Sequence, residues 1–231
     1  MGVALVLDAS VALAWCFEDE STEGAWNVLA AAAAVGCRRV IVLGTAEEYG
    51  NIAAPFGEAD RECPMSPYGI SKLAATRAAL TAAPLSETEV TVLRATVAYG
   101  AGQLPDMFMS ALLHALKEGQ PFPMTQGEQT RDFIYIDDLV EALVRAATAS
   151  EAAGLIVNIG SGESVTVRHV ARVAERVIGA FGLLQIGAVD LRQTEATSYS
   201  VDLSQARRVL GWGAVRSLEQ GIADTVKAMA N

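Results

Sequence analysis

The feature that most constrains this chain is a set of short apolar runs that do not alternate. Arg39–Leu43 (RVIVL) is apolar and largely β-branched after its first residue, and Val90–Leu93 (VTVL) is largely β-branched and apolar but for the hydroxyl of Thr91. A strand with one wet face alternates polar and apolar residues. Runs like these need cover on both faces, as in a parallel sheet flanked by helices. Further strand-type runs stand at Val3–Leu7, Phe133–Ile136 and Leu155–Ile159. Segments of helical spacing separate them: Val11 to Ala34, Pro67 to Ala83, Met107–Lys117, Asp137–Ala149 and Val165–Gly179. Two short helices are expected at Asp202–Leu210 and Leu218–Met229. Strands separated by helices build βαβ units and a mainly parallel sheet.

Local punctuation agrees. Residues 44–66 are rich in breakers, with Gly44, Gly50, Pro55, Gly57 and Pro64, and read as a loop. Ser66 can cap the next helix, with Pro67 at its first position. Gly160-Ser161-Gly162 reads as a turn after a strand, and no third glycine opens the next helix, so it is no dinucleotide fingerprint.

Composition narrows the classes. The chain has 231 residues, 52% of them hydrophobic, which is enough for a real core. Its formal charge of −10 argues against wrapping nucleic acid or binding an anionic membrane surface, since both need clustered Lys and Arg. Cys16, Cys37 and Cys63 are scattered, and neither His114 nor His169 falls in a metal-ligand spacing. No disulfide framework and no metal site is expected. No apolar run has the length of a membrane span, and Met1-Gly2-Val3-Ala4 carries no basic n-region. The reading is of a cytoplasmic protein.

The strongest chemical signal is Tyr68-Gly69-Ile70-Ser71-Lys72. Residues i and i+4 share a helix face. An ammonium beside a phenol favours the phenolate, so Tyr68 could serve as a general acid/base near neutral pH. The spacing alone is also met in helices where such a pair merely lies on the surface.

Its surroundings sharpen the reading. Ser66-Pro67-Tyr68-Gly69-Ile70-Ser71-Lys72 resembles the active-site helix of the extended short-chain dehydrogenases, the family of NAD-dependent nucleotide-sugar epimerases and dehydratases. Val40 to Gly50 resembles the strand and loop that carry the family's catalytic Ser or Thr, which falls at Thr45. Asn27 matches an Asn of the preceding helix. Leu93-Arg94 and Tyr99-Gly100-Ala101-Gly102-Gln103 resemble the loop into the substrate region. Arg131-Asp132-Phe133-Ile134-Tyr135-Ile136-Asp137-Asp138, Asn158 to Glu163 and Asp202 to Trp212 match later blocks, in family order.

The resemblance implies NAD or NADP as cofactor, held in part by Tyr68, Lys72 and Asn27. It implies a nucleotide-diphosphate sugar as partner, bound through Arg131, Arg192, Tyr99 and Gln103. Paired phosphate oxygens suit planar guanidinium groups. Tyr68 would take the proton of the sugar C4 hydroxyl as hydride passes to the nicotinamide, Thr45 would hydrogen-bond that oxygen, and Lys72 would act on Tyr68 and the ribose. Glu47 stands where 4,6-dehydratases place the Glu that takes the C5 proton; an exposed loop carboxylate is the alternative. Ala46 and Val97 depart from the family pattern, so epimerase and dehydratase both stay open.

No G-x-x-G-x-x-G run precedes Thr45. In the family those glycines bring backbone to the pyrophosphate. Val6 to Trp15 instead resembles the opening strand and helix of PIN-domain ribonucleases, with Asp8 at their first metal-binding acid. The fold expectation is therefore an incomplete Rossmann-type doubly wound parallel α/β sheet with an interleaved small C-terminal α/β substrate-binding region. Residues 1–20 read as a foreign strand-helix segment. Residues 21–100 read as the second half of the cofactor domain with the catalytic residues, and 101–231 as the substrate region interleaved with the last Rossmann elements. Impaired cofactor binding is expected, with a non-catalytic remnant as the alternative and a nuclease third. Val3–Leu7 would cover part of the sheet edge, and an uncovered edge would favour a homodimer.

Overall fold

The computed structural model of the chain describes residues 4–8, 23–85, 87–191 and 197–229. The PIN-like stretch after Asp8, the first half of the helix expected over Val11 to Ala34, Cys16 and Arg192 lie outside them. The described chain forms two units. The first is Met1–Ala95, Val140–Ile159 and Val201–Gly213; the second is Thr96–Leu139, Gly160–Ser200 and Ala214–Asn231.

The first unit is built on a parallel sheet of four strands: β1 (Ala4–Asp8), β2 (Arg39–Thr45), β3 (Glu89–Ala95) and β7 (Ile156–Ile159), in the order β1-β2-β3-β7. Register runs Ala4 to Arg39, Arg39 to Glu89 and Val92 to Ile156. The unalternating runs behave as expected: Val40, Ile41, Val92 and Leu93 are fully buried. Helices α1 (Glu23–Ala34) and α2 (Pro67–Ala82) place Leu29, Ala32, Ala75 and Ala79 against Val40, Val42, Val90 and Val92. The alanines let the helices approach the sheet closely. Helix α4 (Ile136–Thr148) enters this unit with its later turns, and α6 (Ser204–Leu210) belongs to it wholly.

The second unit holds β4 (Val97–Tyr99), β6 (Thr130–Tyr135) and β8 (Ser164–Thr166), in the order β4-β6-β8. A further parallel pair joins β5 (Phe122–Met124) to β9 (Leu184–Ile186). Helices α3 (Phe108–Lys117), α5 (Val167–Ile178) and α7 (Leu218–Ala228) complete it. Its core gathers Leu112, Leu113 and Leu116 with Val170, Ala174 and Ile222.

Several boundaries shift from the sequence expectation by one to three residues, and two of the shifts have a clear physical reason. The helix read from Val165 starts at Val167, because Val165 and Thr166 pair antiparallel with Arg131 and Thr130. Thr166 is instead its cap, accepting the His169 N–H at 3.1 Å. The strand read over Phe133–Ile136 runs from Thr130 to Tyr135, and Ile136 already opens α4. Among the described residues no helix is long and apolar enough to cross a membrane.

Candidate active site

Strand β2 ends at Thr45, and a single 3-10 turn, Ala46–Glu48, follows. Thr45 caps that turn: its hydroxyl accepts the Glu47 N–H at 3.3 Å, while its own N–H donates to Glu48 Oε1 at 2.9 Å. Helix α2 begins where the sequence places its cap. Ser66 Oγ accepts the Gly69 N–H at 2.9 Å and donates to Glu47 Oε2 at 2.7 Å. The turn and the helix start press directly together. A Cβ added at Gly69 would lie 2.8 Å from the Glu47 carbonyl oxygen, so only glycine admits this approach.

Tyr68 and Lys72 stand one turn apart on α2 and differ sharply in burial. Tyr68 is 48% exposed, whereas Lys72 is 2% exposed. The Lys72 ammonium donates to the Leu43 carbonyl at 3.1 Å and lies 5.6 Å from the centre of the Tyr68 ring. A buried ammonium held between the β2 carbonyl and a phenol face is arranged to act on the phenol rather than on solvent. Thr45, Glu47, Tyr68 and Lys72 thus converge on one strand end and one helix start. Asn27 is exposed on α1.

Beneath them is a buried charge cluster that sequence reading missed. Arg94 and Glu48 are both fully buried and paired at 2.8 Å. Arg94 Nη2 also donates to Glu62 Oε1 at 2.9 Å, and Arg77 of α2 donates to the same carboxylate at 2.6 Å. Burial pushes the Glu62 carboxyl up, but hydrogen bonds from Arg94 and Arg77 and the Arg94 charge outweigh it, leaving the group below its ordinary value. The Arg94 guanidinium lies 4.5 Å from the centre of the Tyr49 ring, and the Tyr49 hydroxyl donates to Asn158 Oδ1 at 2.8 Å. Burial carries the Tyr49 phenol up to about 12. No local sequence signal pairs Glu48 with Arg94, since one lies in the turn after β2 and the other in β3, 46 residues apart.

The second unit holds the residues expected to meet substrate. Arg131 is half-buried; it donates to the Thr130 carbonyl at 2.8 Å, and its guanidinium lies 5.3 Å from the Tyr199 ring centre. Its neighbour Asp132 is fully buried and accepts the Ser161 N–H and hydroxyl, each at 2.7 Å, and the Gly162 N–H at 3.1 Å. Burial raises the Asp132 carboxyl above its usual range despite those bonds. Gln103 is half-buried, with its amide N–H bonded to the Ala98 carbonyl at 2.9 Å. Tyr99 is only 2% exposed: its ring packs against Phe133 and Tyr135, and its hydroxyl donates to the Leu218 carbonyl at 3.3 Å. It is placed as a core residue. A cavity of about 190 Å³ in this unit is lined by Phe133, Ser161, Glu163, Val165, Arg216 and Leu218, among others, and not by Arg131, Tyr99 or Gln103.

A phenol and an ammonium one turn apart form a donor set that fits a ribose diol and the carboxamide-bearing end of a dinucleotide. The pyrophosphate end has no counterpart among the described residues. Strand β1 runs into residues 9–22, which lie outside them and contain no glycine. The Asp8 side chain, the residue singled out by the PIN resemblance, also lies outside them.

A family model described as NAD dependent epimerase/dehydratase family matches residues 6–160. The match opens within the stretch that sequence reading set apart as foreign. UDP-glucuronate 4-epimerase of Thermodesulfobacterium geofontis is 28% identical over 224 residues, which are 94% of this chain and 67% of that protein. The dTDP-6-deoxy-L-talose 4-dehydrogenase of Kitasatospora kifunensis is 31% identical, over 91% of this chain and 70% of that protein. Among solved structures, MoeE5 in complex with UDP-glucuronic acid and NAD superposes with a TM-score of 0.83 at 33% identity, over 90% of this chain and 70% of that one. The chain therefore spans about two thirds of the length of these relatives.

Proposed function

Because this chain belongs to the NAD dependent epimerase/dehydratase family, we propose that it acts on a nucleotide-diphosphate sugar, with Tyr68 as acid/base at the sugar C4 hydroxyl. The observation that supports this most is the Lys72 ammonium, buried and seated 5.6 Å from the Tyr68 ring centre. Bound NAD or NADP would supply the hydride acceptor. The chain's own residues do the rest. Tyr68, half out in solvent, can reach a substrate hydroxyl and take its proton. Lys72 sets positive charge beside the phenol at the moment a negative charge develops there. The Thr45 hydroxyl, spent on the Glu47 N–H only as acceptor, keeps its own proton to donate to the sugar oxygen. Arg131 is the candidate for the diphosphate, as its planar fork suits paired phosphate oxygens. The relatives' names point to UDP or dTDP sugars as the substrates to try first.

A second reading, a nucleotide-sugar binder without turnover, is favoured by one observation: no glycine stands between Asp8 and Thr22. Fluorescence titration of the purified chain with NADH and then NADPH separates the two. Saturable binding, together with turnover of a UDP or dTDP sugar that falls by about 10²–10⁴ in Tyr68→Phe, supports the enzyme. A folded chain that binds neither cofactor at millimolar concentration overturns it and leaves the binder, which isothermal titration with UDP then tests.

A further inference from the structure

We propose that the buried Glu48–Arg94 pair is a positioning relay that holds Thr45 and the turn after it against helix α2. Glu48 and Arg94 are positioning residues and touch no substrate. The inference rests on the reading of Thr45 and Tyr68 given under Proposed function.

Each oxygen of the Glu48 carboxylate has its own task. Oε1 accepts the Thr45 N–H at 2.9 Å, and Oε2 accepts Arg94 Nε–H at 2.8 Å. Arg94 passes the constraint on through Glu62, which Arg77 grips from α2, the helix of Tyr68 and Lys72. Four side chains thus run from the backbone of Thr45 to the helix that carries its proposed partner. Arg94 has little room to move. It is fully buried, and the Tyr49 ring stacked on it is tied in turn to Asn158. Strand β2 is shaped for this path, because a Cβ added at Gly44 would lie 2.5 Å from Glu48 Oε1.

Stability alone does not account for the pair. Taking two charges out of water offsets most of their attraction, and buried pairs are commonly replaced by apolar residues without loss. A neutral side chain would cap the turn as well. What a planar guanidinium adds is direction: its fork fixes the carboxylate plane and therefore where the Thr45 N–H must lie. Misplacement of about 1 Å is enough to lower turnover by about a hundredfold.

The test uses two double variants of the full chain, chosen so that no buried charge is left unpaired. Glu48→Leu/Arg94→Met removes the relay but keeps an apolar core. Glu48→Gln/Arg94→Gln keeps a hydrogen-bonded link without charge. The first is expected to fold, with unchanged near-UV circular dichroism. Its Thr45 amide is expected to exchange with deuterium about tenfold faster while that of Val42 is unchanged. Its kcat should fall about ten- to a hundredfold at constant KM. The Gln/Gln variant is expected to return Thr45 exchange toward wild type, because it keeps an acceptor for that N–H, but to leave most of the kcat loss in place, because it lacks the guanidinium fork. Wild-type exchange at Thr45 in the Leu/Met variant overturns the relay, as does faster exchange with kcat unchanged. If the wild-type chain turns over no nucleotide sugar, the proposed function fails, and Thr45 exchange alone decides the relay.

Discussion

The Ser66 hydroxyl joins the two halves of the candidate catalytic centre: it donates to Glu47 Oε2 at 2.7 Å while accepting the Gly69 N–H at 2.9 Å. One oxygen therefore starts helix α2 and orients the carboxylate of the preceding turn. Aspartate caps helices as well as serine does, but at this position it would set a second carboxylate against Glu47. Ser66→Asp is expected to be less stable than wild type at pH 7, by about 1–2 kcal/mol, and to recover as the pair is protonated. Ser66→Ala loses about 1 kcal/mol without that recovery. Urea unfolding at pH 7 and pH 4 separates the two; an Asp variant as stable as wild type at pH 7 would show that Ser66 and Glu47 are not joined in solution.

Gly69 offers a test with an unusual sign. In a helix interior Gly→Ala ordinarily stabilises by about 1 kcal/mol. Here the new methyl group would lie 2.8 Å from the Glu47 carbonyl oxygen, a backbone atom with little freedom to retreat. Gly69→Ala is expected to lower the melting temperature and to reduce turnover by displacing the Thr45 turn. A rise in melting temperature would mean that the turn and helix stand further apart.

Glu62 makes the charge cluster sensitive to acid. Its carboxyl in the folded chain lies below its ordinary value of 4.5, so it contributes stability above that pH, and the contribution is lost as pH falls through the folded value. The difference in urea midpoint between wild type and Glu62→Gln should therefore be largest near neutrality and shrink below pH 4.5. A difference that is constant with pH would refute the assignment.

Asp132 works in the opposite direction. Burial lifts its carboxyl above its ordinary 3.8, so the folded chain binds the proton more readily than the unfolded one. This group's contribution to stability grows as pH falls through its raised value and is lost as pH rises through it. Asp132→Asn removes that dependence. It also leaves part of the donor set of Ser161 and Gly162 without an acceptor, costing about 1–3 kcal/mol at pH 7. Unfolding midpoints of both proteins across pH 3 to 7 check the two statements together.

Much of the fold was legible because it is written locally. Val40, Ile41, Val42, Val92 and Leu93 announce strands buried on both faces, and Ser66-Pro67 announces the start of α2. The short strands were not legible. Val97–Tyr99, Phe122–Met124, Ser164–Thr166 and Leu184–Ile186 each have three residues, too few for a period, and exist only through distant partners. The site divides in the same way. Tyr68 and Lys72 were visible as an i,i+4 pair, and the order of the surrounding motifs pointed to their family.

Sequence by itself determined the order of the longer strands and the helices between them, the helix face shared by Tyr68 and Lys72, and the family. Periodicity, capping and motif spacing are properties of neighbouring residues. Only the tertiary structure decided which side chains lose contact with water. It buried Lys72 against the Leu43 carbonyl while leaving Tyr68 exposed, and it placed Tyr99 in a core. It also joined Glu48 to Arg94 and Arg94 to Glu62. Those pairings form between strands and loops far apart in the chain, and their strength comes from shared burial in a low-dielectric interior, which no local pattern encodes.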